Sequence, residues 1–291
     1  MIVSVNGALM DENQAVISVF DHGFLYGIGL FETFRTYGGI PFLLEEHLGR
    51  LSAGCDELGI AYIPQPQELR TKIEQVLSAN SLTDGYIRLS ISAGAEPLGL
   101  PVGDYVQPTE IIYAKSLPER GAQGKPLQLL QLRRNTPEGS LRMKSFHYMN
   151  NILGVRELQQ YPWAAGAEGL FLNASDHVTE GLVSNLFFIK RGLLCTPSVD
   201  TGLLPGVTRA FILDLADELD IPYEEGCYSW EWLCHAEDIF ITNSIQEIVP
   251  VNCMYDPHGT VVWTRGNAGS VEPITLRLRE HYRHAISGGH L

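Results

Sequence analysis

Short alternating runs of apolar and polar residues open the chain. Residues 2–5 and 16–19 are β-rich and flank Asn6-Gly7 and a polar stretch at 11–14, which predicts two strands. Residues 31–36 and 40–44 lie on either side of Gly38-Gly39, a hairpin signal. The period then changes. Leu48, Leu51, Cys55 and Leu58 recur at helical spacing and Gly59 follows, so a helix is expected over 45–58. A second helix is expected over 68–77, then strands over 86–93 and 110–115. Residues 117–126 are rich in Gly and Pro and mark the best boundary. Beyond it, strands are predicted at 127–132, 170–172, 185–190, 193–196, 238–242 and 248–251, with an irregular stretch at 134–143. Helices are predicted at 148–160, at 207–219 behind Pro205-Gly206, and at 272–286 as a surface tail. Strands and helices mix without a regular βαβ alternation, so the reading is two α+β domains. These are 1–118 and 127–291, joined by 119–126, with Lys144 in the second.

Composition narrows the function classes. With 45% apolar and 19% charged residues the chain can build a substantial core and a buried site. A net charge of -14 argues against a nucleic-acid partner, which would call for a basic face. It leaves room for a local arginine pocket. No run approaches the length needed to span a bilayer, and the N-terminus lacks a basic segment followed by an apolar one, so neither membrane nor secretion is expected. Five cysteines, an odd number with no C-x-x-C pair, suggest a reduced cytoplasmic protein with no disulfide framework and no metal site.

Of the five lysines, Lys72, Lys115, Lys125 and Lys190 have ordinary helix, strand-end or loop settings. Lys144 differs, lying between Met143 and Phe146 just before a predicted helix. A lysine attacks a carbonyl only as the neutral amine, which an apolar setting favours. On local signal alone, a snorkelling surface lysine is the favoured reading. The pair Gly27-x-Gly29 lacks a third glycine and a βαβ context, so it is not read as a nucleotide loop.

Six blocks in order extend the picture. They are Tyr26-Gly27-Ile28-Gly29-Leu30-Phe31-Glu32-Thr33-Phe34-Arg35, His47-Leu48-Gly49-Arg50-Leu51, Lys144-Ser145-Phe146-His147-Tyr148-Met149-Asn150-Asn151, Val178-Thr179-Glu180-Gly181 running to Ser184-Asn185-Leu186-Phe187, Thr196-Pro197 with Leu203-Leu204-Pro205-Gly206-Val207-Thr208-Arg209, and Thr242-Asn243-Ser244-Ile245-Gln246-Glu247. Together they resemble the fold-type IV family of pyridoxal 5'-phosphate (PLP) transaminases and lyases, the D-amino acid aminotransferase-like fold. The resemblance implies that Lys144 carries PLP as a Schiff base and that Glu180 meets the pyridine nitrogen. It implies that Arg50, the amides of Gly206, Val207 and Thr208, and Ser244 with Ile245 hold the phosphate. Tyr148 would lie near the cofactor phenolate, and Leu203 would pack on the ring. A homodimer with the cofactor at the domain junction is also implied.

Two segments, Phe20-Asp21-His22-Gly23-Phe24-Leu25-Tyr26 and Arg133-Arg134-Asn135-Thr136-Pro137-Glu138-Gly139-Ser140-Leu141-Arg142, resemble the aminodeoxychorismate lyase branch of that family. That branch converts 4-amino-4-deoxychorismate to 4-aminobenzoate and pyruvate on the way to folate. Arg88 and Arg35 would receive the substrate carboxylates, Tyr26 would line the pocket, and Lys144 or Thr33 would protonate the leaving group. The same arginines suit an aminotransferase acting on branched-chain or D-amino acids with 2-oxoglutarate, so both reactions stay open here.

Overall fold

The structure, a computed structural model, describes residues 1–118, 124–266 and 273–287. The chain forms two compact units: Met1–Glu119 with Met143–His147, and Arg120–Arg142 with Tyr148–Leu291. The short lysine-bearing segment therefore groups with the first unit, although it was expected in the C-terminal domain. The reason is local pairing: Leu30 and Ser145 form an antiparallel bridge. Of the expected connection 119–126, residues 119–123 lie outside the described residues, as does Glu272, the expected start of the tail helix.

The first unit contains β1 (Ile2–Val5), β2 (Ala8–Asp11), α1 (His22–Tyr26), β3 (Gly29–Tyr37), β4 (Ile40–Pro41), α2 (Leu44–Glu57), α3 (Pro66–Ala79), β5 (Tyr86–Ser92) and β6 (Thr109–Lys115). Its sheet runs β2-β1-β6-β5-β3-β4, and each pairing is antiparallel. Alternation along β3 sends Leu30, Glu32 and Phe34 to one face and Phe31, Thr33 and Arg35 to the other. Leu30 and Phe34 join Leu48 and Leu51 of α2, Leu69 and Ile73 of α3, and Ile87, Leu89 and Ile91 of β5 in one core. Leu48, Leu51 and Cys55, the helical stripe read from the sequence, are all buried there.

Two expected strands of this unit differ. Residues 16–19 form no strand, and Val16 and Val19 are exposed. β1 pairs instead with β2 across Asn6-Gly7, both in the left-handed region, leaving 16–19 without a ladder. The strand expected over 40–44 stops at Pro41, because Leu43 turns left-handed (φ 53°) and Leu44 begins α2.

The second unit contains β7 (Lys125–Leu129), α4 (Met149–Leu158), β8 (Glu168–Leu172), β9 (Val178–Gly181), β10 (Asn185–Lys190), β11 (Leu193–Pro197), α5 (Val207–Glu218), β12 (Tyr223–Gly226), α6 (Trp230–Cys234), β13 (Asp238–Asn243), β14 (Glu247–Tyr255), β15 (Val261–Thr264) and α7 (Pro273–Ile286). Its mixed sheet runs β12-β11-β10-β13-β14-β7-β8-β9, with β15 beside β14. The pairs β11/β12, β14/β7 and β7/β8 are parallel. β10 is apolar on both faces, as a central strand covered on each side requires. Leu186 and Phe188 enter the core of this unit. Phe187 stacks on its register partner Phe240 at 5.1 Å between centroids. α5 meets α7 through an edge contact of Phe211 with Tyr282. No helix among the described residues is long and apolar enough to cross a membrane.

The two sheets make a direct stability prediction. Leu89→Ala empties a fully buried site on β5 and should cost about 2–5 kcal/mol in urea unfolding. Val261→Ala on the exposed flank of β15 should cost under about 1 kcal/mol. Equal costs would contradict the assignment of Leu89 to the core.

Candidate active site

The expected site residues fall into two sets, one in each unit. In the first, Lys144 is fixed through its main chain. The N–H of Phe31 donates to the Lys144 carbonyl at 2.9 Å, and the N–H of Phe146 donates to the Gly29 carbonyl at 2.9 Å. The Lys144 side chain lies over the Phe31 ring, with Nζ 4.7 Å from the centroid. Arg88 stacks on the same ring, with Cζ 3.6 Å from the centroid, and its Nε donates to Ser90 Oγ at 3.1 Å. Thr33 stands opposite Arg88 in the β3/β5 register, and Arg35 on the same face is buried against the Tyr37 ring. One sheet face thus carries Lys144, Thr33, Arg88 and Arg35, an amine, a hydroxyl and two guanidinium groups. Tyr26 ends α1, and its hydroxyl accepts from the N–H of Gly99 at 3.0 Å.

Arg50 sits on the other face of β3. Its Nε and Nη2 donate to the two oxygens of Glu32 at 2.8 and 2.5 Å, and His47 Nδ1 meets Glu32 at 2.7 Å. Glu32 is fully buried, yet Arg50 and His47 hold its carboxyl down at about 2 against the cost of burial. Burial pushes His47 below its usual range, and because the ionised Glu32 carboxylate can only accept, His47 Nδ1–H is the donor. Arg50 was singled out in the sequence; the carboxylate that fixes its guanidinium was not. The available signal was a glutamate on the apolar face of a strand, with His47 and Arg50 one helical turn apart on α2.

In the second unit, Glu180 ends up buried on β9. Its Oε1 accepts from Arg134 Nε at 2.8 Å and its Oε2 from the N–H of Leu204 at 3.0 Å. Arg134 Nη1 is in turn held by Asn150 Oδ1 at 2.7 Å and Asn151 Oδ1 at 3.1 Å. Arg142 approaches Glu180 to 3.8 Å and donates to the Gly202 carbonyl at 2.6 Å. Burial, with Arg134 beside it, pushes the Arg142 guanidinium down to about 10. Both arginines lie in the quoted 133–142 segment, but nothing in the sequence tied them to Glu180.

The turn after Glu180 is equally constrained. Glu168 Oε1 accepts from the N–H of Val183 at 2.9 Å and from Ser184 Oγ at 3.0 Å. A side chain at Gly181 would meet both Ser184 Oγ and Glu168. Asn185 Nδ2 donates to the Leu204 carbonyl at 2.9 Å, and Gly206 lets Asn185 approach this closely. The spacing Glu180-Gly181…Asn185 therefore builds the wall that presents the carboxylate.

Gly206 is the N-cap of α5, and no side chain caps this helix end. Thr208 Oγ1 and Ser244 Oγ lie 3.0 Å apart beside it. An uncapped helix N-terminus with two hydroxyls is a donor set that suits a phosphate. A carboxylate flanked by arginines, with lone pairs beyond the two already engaged, suits a protonated ring nitrogen. The donor chemistry of this unit fits PLP. The N–H of Ile245 donates to Asn243 Oδ1 at 3.0 Å, next to the Ser244 hydroxyl. Leu203 is buried, and Tyr148 is the half-buried N-terminal cap of α4.

Glu32 has its native pKa depressed to about 2 from 4.5, so its contribution to stability is complete above about 4.5 and is lost as pH falls toward 2. The stability gap between the protein and Glu32→Gln should therefore be roughly 3 kcal/mol near neutrality and close as pH drops through that window. A gap independent of pH would contradict the ion pair. Arg134→Ala should weaken PLP retention on dialysis by about tenfold or more, because it leaves Glu180 buried with one charge partner fewer; unchanged retention would contradict this role.

Comparison with known proteins gives the family. Residues 29–253 match the family model "Amino-transferase class IV". The chain is 43% identical over 252 residues to the aminodeoxychorismate lyase of Bacillus subtilis (strain 168), covering 86% of this chain and 85% of that one. The solved 4-amino-4-deoxychorismate lyase of Pseudomonas aeruginosa superposes with a TM-score of 0.81 at 28% identity, covering 97% of this chain and 98% of that one. The branched-chain amino acid aminotransferase of Escherichia coli superposes with a TM-score of 0.83 at 27% identity, covering 100% of this chain and 95% of that one. The two-sheet architecture, the lysine-bearing sheet edge and the family match together place this chain in the class IV aminotransferase family of PLP enzymes.

Proposed function

We propose that this protein is a 4-amino-4-deoxychorismate lyase, releasing 4-aminobenzoate and pyruvate. The observation that carries the proposal is the 43% identity to the Bacillus subtilis lyase over most of both chains. The chemistry of the sheet face in the first unit supports it, since Arg88 and Arg35 can each receive a planar carboxylate beside an amine.

PLP, when bound, supplies an electron sink that accepts the negative charge left when a proton is removed. Lys144 Nζ would tether PLP and would be the base that takes the proton from the substrate carbon bearing nitrogen. Glu180, backed by Arg134, keeps a negative charge for the ring nitrogen. Arg50, the amides of Gly206, Val207 and Thr208, and Ser244 with Ile245 would hold the phosphate. Leu203 would pack on the ring and Tyr148 would lie near the phenolate. Arg88 and Arg35 orient the substrate, with Tyr26 at the pocket edge. Lys144 or Thr33 returns a proton to the departing enolpyruvyl group, which closes the proton balance. We place the enzyme in the cytoplasm as a homodimer; the five described cysteines are free thiols.

The second reading is an aminotransferase acting on branched-chain or D-amino acids with 2-oxoglutarate, and the likeness to the Escherichia coli branched-chain amino acid aminotransferase favours its branched-chain form. Purified protein given 4-amino-4-deoxychorismate should release fluorescent 4-aminobenzoate over many turnovers, and Lys144→Ala should release none while remaining folded. Sustained amino transfer from leucine or D-alanine to 2-oxoglutarate, with no 4-aminobenzoate formed, would replace the lyase with the second reading.

A further inference from the structure

The pair Gly27 and Gly29 is left without a role by cofactor chemistry. Both glycines face residues that closely follow Lys144. A Cβ at Gly29 would lie 2.7 Å from Phe146 Cδ2, closer still to Cε2, and 2.8 Å from the Ile91 carbonyl. A Cβ at Gly27 would lie 2.6 Å from His147 Cδ2 and 2.8 Å from Nε2. A third glycine, Gly23 of α1, also leaves room for the Phe146 ring, its Cβ position lying 3.1 Å from Cε2. At Gly27 and Gly29 these separations are too short for any real Cβ, so the aromatic side chains occupy space that only glycine leaves open.

Hydrogen bonds lock the same segment. Phe146 donates its N–H to the Gly29 carbonyl at 2.9 Å, and His147 Nε2 stands 3.2 Å from the Tyr26 carbonyl. Gly27 terminates α1 in the left-handed conformation, with φ 74°, which turns the chain from helix into β3 directly beside His147. The short segment 144–146 therefore docks on the edge of β3 by backbone bonds together with ring-in-socket packing.

We infer that Gly27 and Gly29 form a socket for Phe146 and His147 that positions the Lys144 amine over Phe31, which makes Gly29 and Phe146 positioning residues for formation of the covalent bond to PLP. This rests on the reading of Lys144 as the tether. Its physical content is a displacement: restoring an ordinary contact distance at position 29 forces the Phe146 ring outward by about an ångström, and the lysine two residues away moves with it.

The test is a double-variant cycle on cofactor-free protein, read by the rate at which visible absorbance grows when PLP is added. Gly29→Ala should slow bond formation by roughly ten- to a hundredfold. Gly29→Ala/Phe146→Leu, which removes the ring edge but not the Ile91 carbonyl that the new Cβ also meets, should recover part of the rate and of the thermal midpoint. Phe146→Leu alone should slow the rate by less than Gly29→Ala. If Gly29→Ala reacts at the parent rate, or if the double variant is no better than Gly29→Ala in rate or folding, the socket is refuted. If the parent protein itself develops no absorbance, the reading of Lys144 fails, an outcome distinct from a parent that reacts and variants that do not differ. Tracking the pH dependence of the rate separates positioning from general loosening. A displaced amine lowers the rate at every pH by one factor, whereas loss of fold collapses the profile together with the thermal midpoint.

Discussion

Two backbone hydrogen bonds, Phe31 to Lys144 and Phe146 to Gly29, hold up the rest of the site. They tie a stretch of irregular chain to β3 as a short extended edge. β4 pairs only with the far end of β3, at Thr36 and Tyr37, so the edge at 29–31 is open to receive it. A lysine on a free loop would sample many positions, and the entropy of fixing it would oppose each bond it forms. Bonded to a sheet edge on either side of its neighbour Ser145, it starts close to one position, with its amine over an aromatic face.

The second constraint is electrostatic, and it recurs. Each unit buries a carboxylate and meets it with an arginine: Glu32 with Arg50, and Glu180 with Arg134. Burying a charge unpaired costs several kcal/mol, so these pairs are fixed in orientation as well as in charge. Glu32 consumes two arms of the Arg50 guanidinium and thereby sets where the third points. Arg134, held by Asn150 and Asn151, does the reverse: it consumes part of the Glu180 carboxylate and leaves acceptor capacity on both oxygens. The polar content of the lysine and glutamate motifs is explained by this scaffolding as much as by contact with a ligand.

Much of the fold was legible because period and punctuation agreed. The stripe Leu48, Leu51, Cys55 locates α2 to within a residue, and the apolar run Leu186-Phe187-Phe188-Ile189 locates β10 with its bounds. The strand expected at 16–19 failed because β propensity requires a partner, and the Asn6-Gly7 turn had already given β1 a nearer one. β9 and β12 were missed because Glu and Gly in such short stretches suppress any strand signal. The lysine, Glu180 and Arg50 stood out through motifs. Their supports did not, because Arg134 reaches Glu180 across 46 residues of sequence, a separation that local pattern does not encode. The Gly27-x-Gly29 spacing was visible, but its partner, an aromatic side chain in a distant segment, was not.

The claim on which all of this turns is that one particular amine makes the covalent bond. Reducing the PLP-loaded protein with borohydride, digesting it and weighing the peptides tests that without reference to turnover. The account predicts a single pyridoxyl mass on the peptide containing Lys144. A pyridoxyl group on Lys72, Lys115, Lys125 or Lys190 instead, or on no lysine, would contradict it.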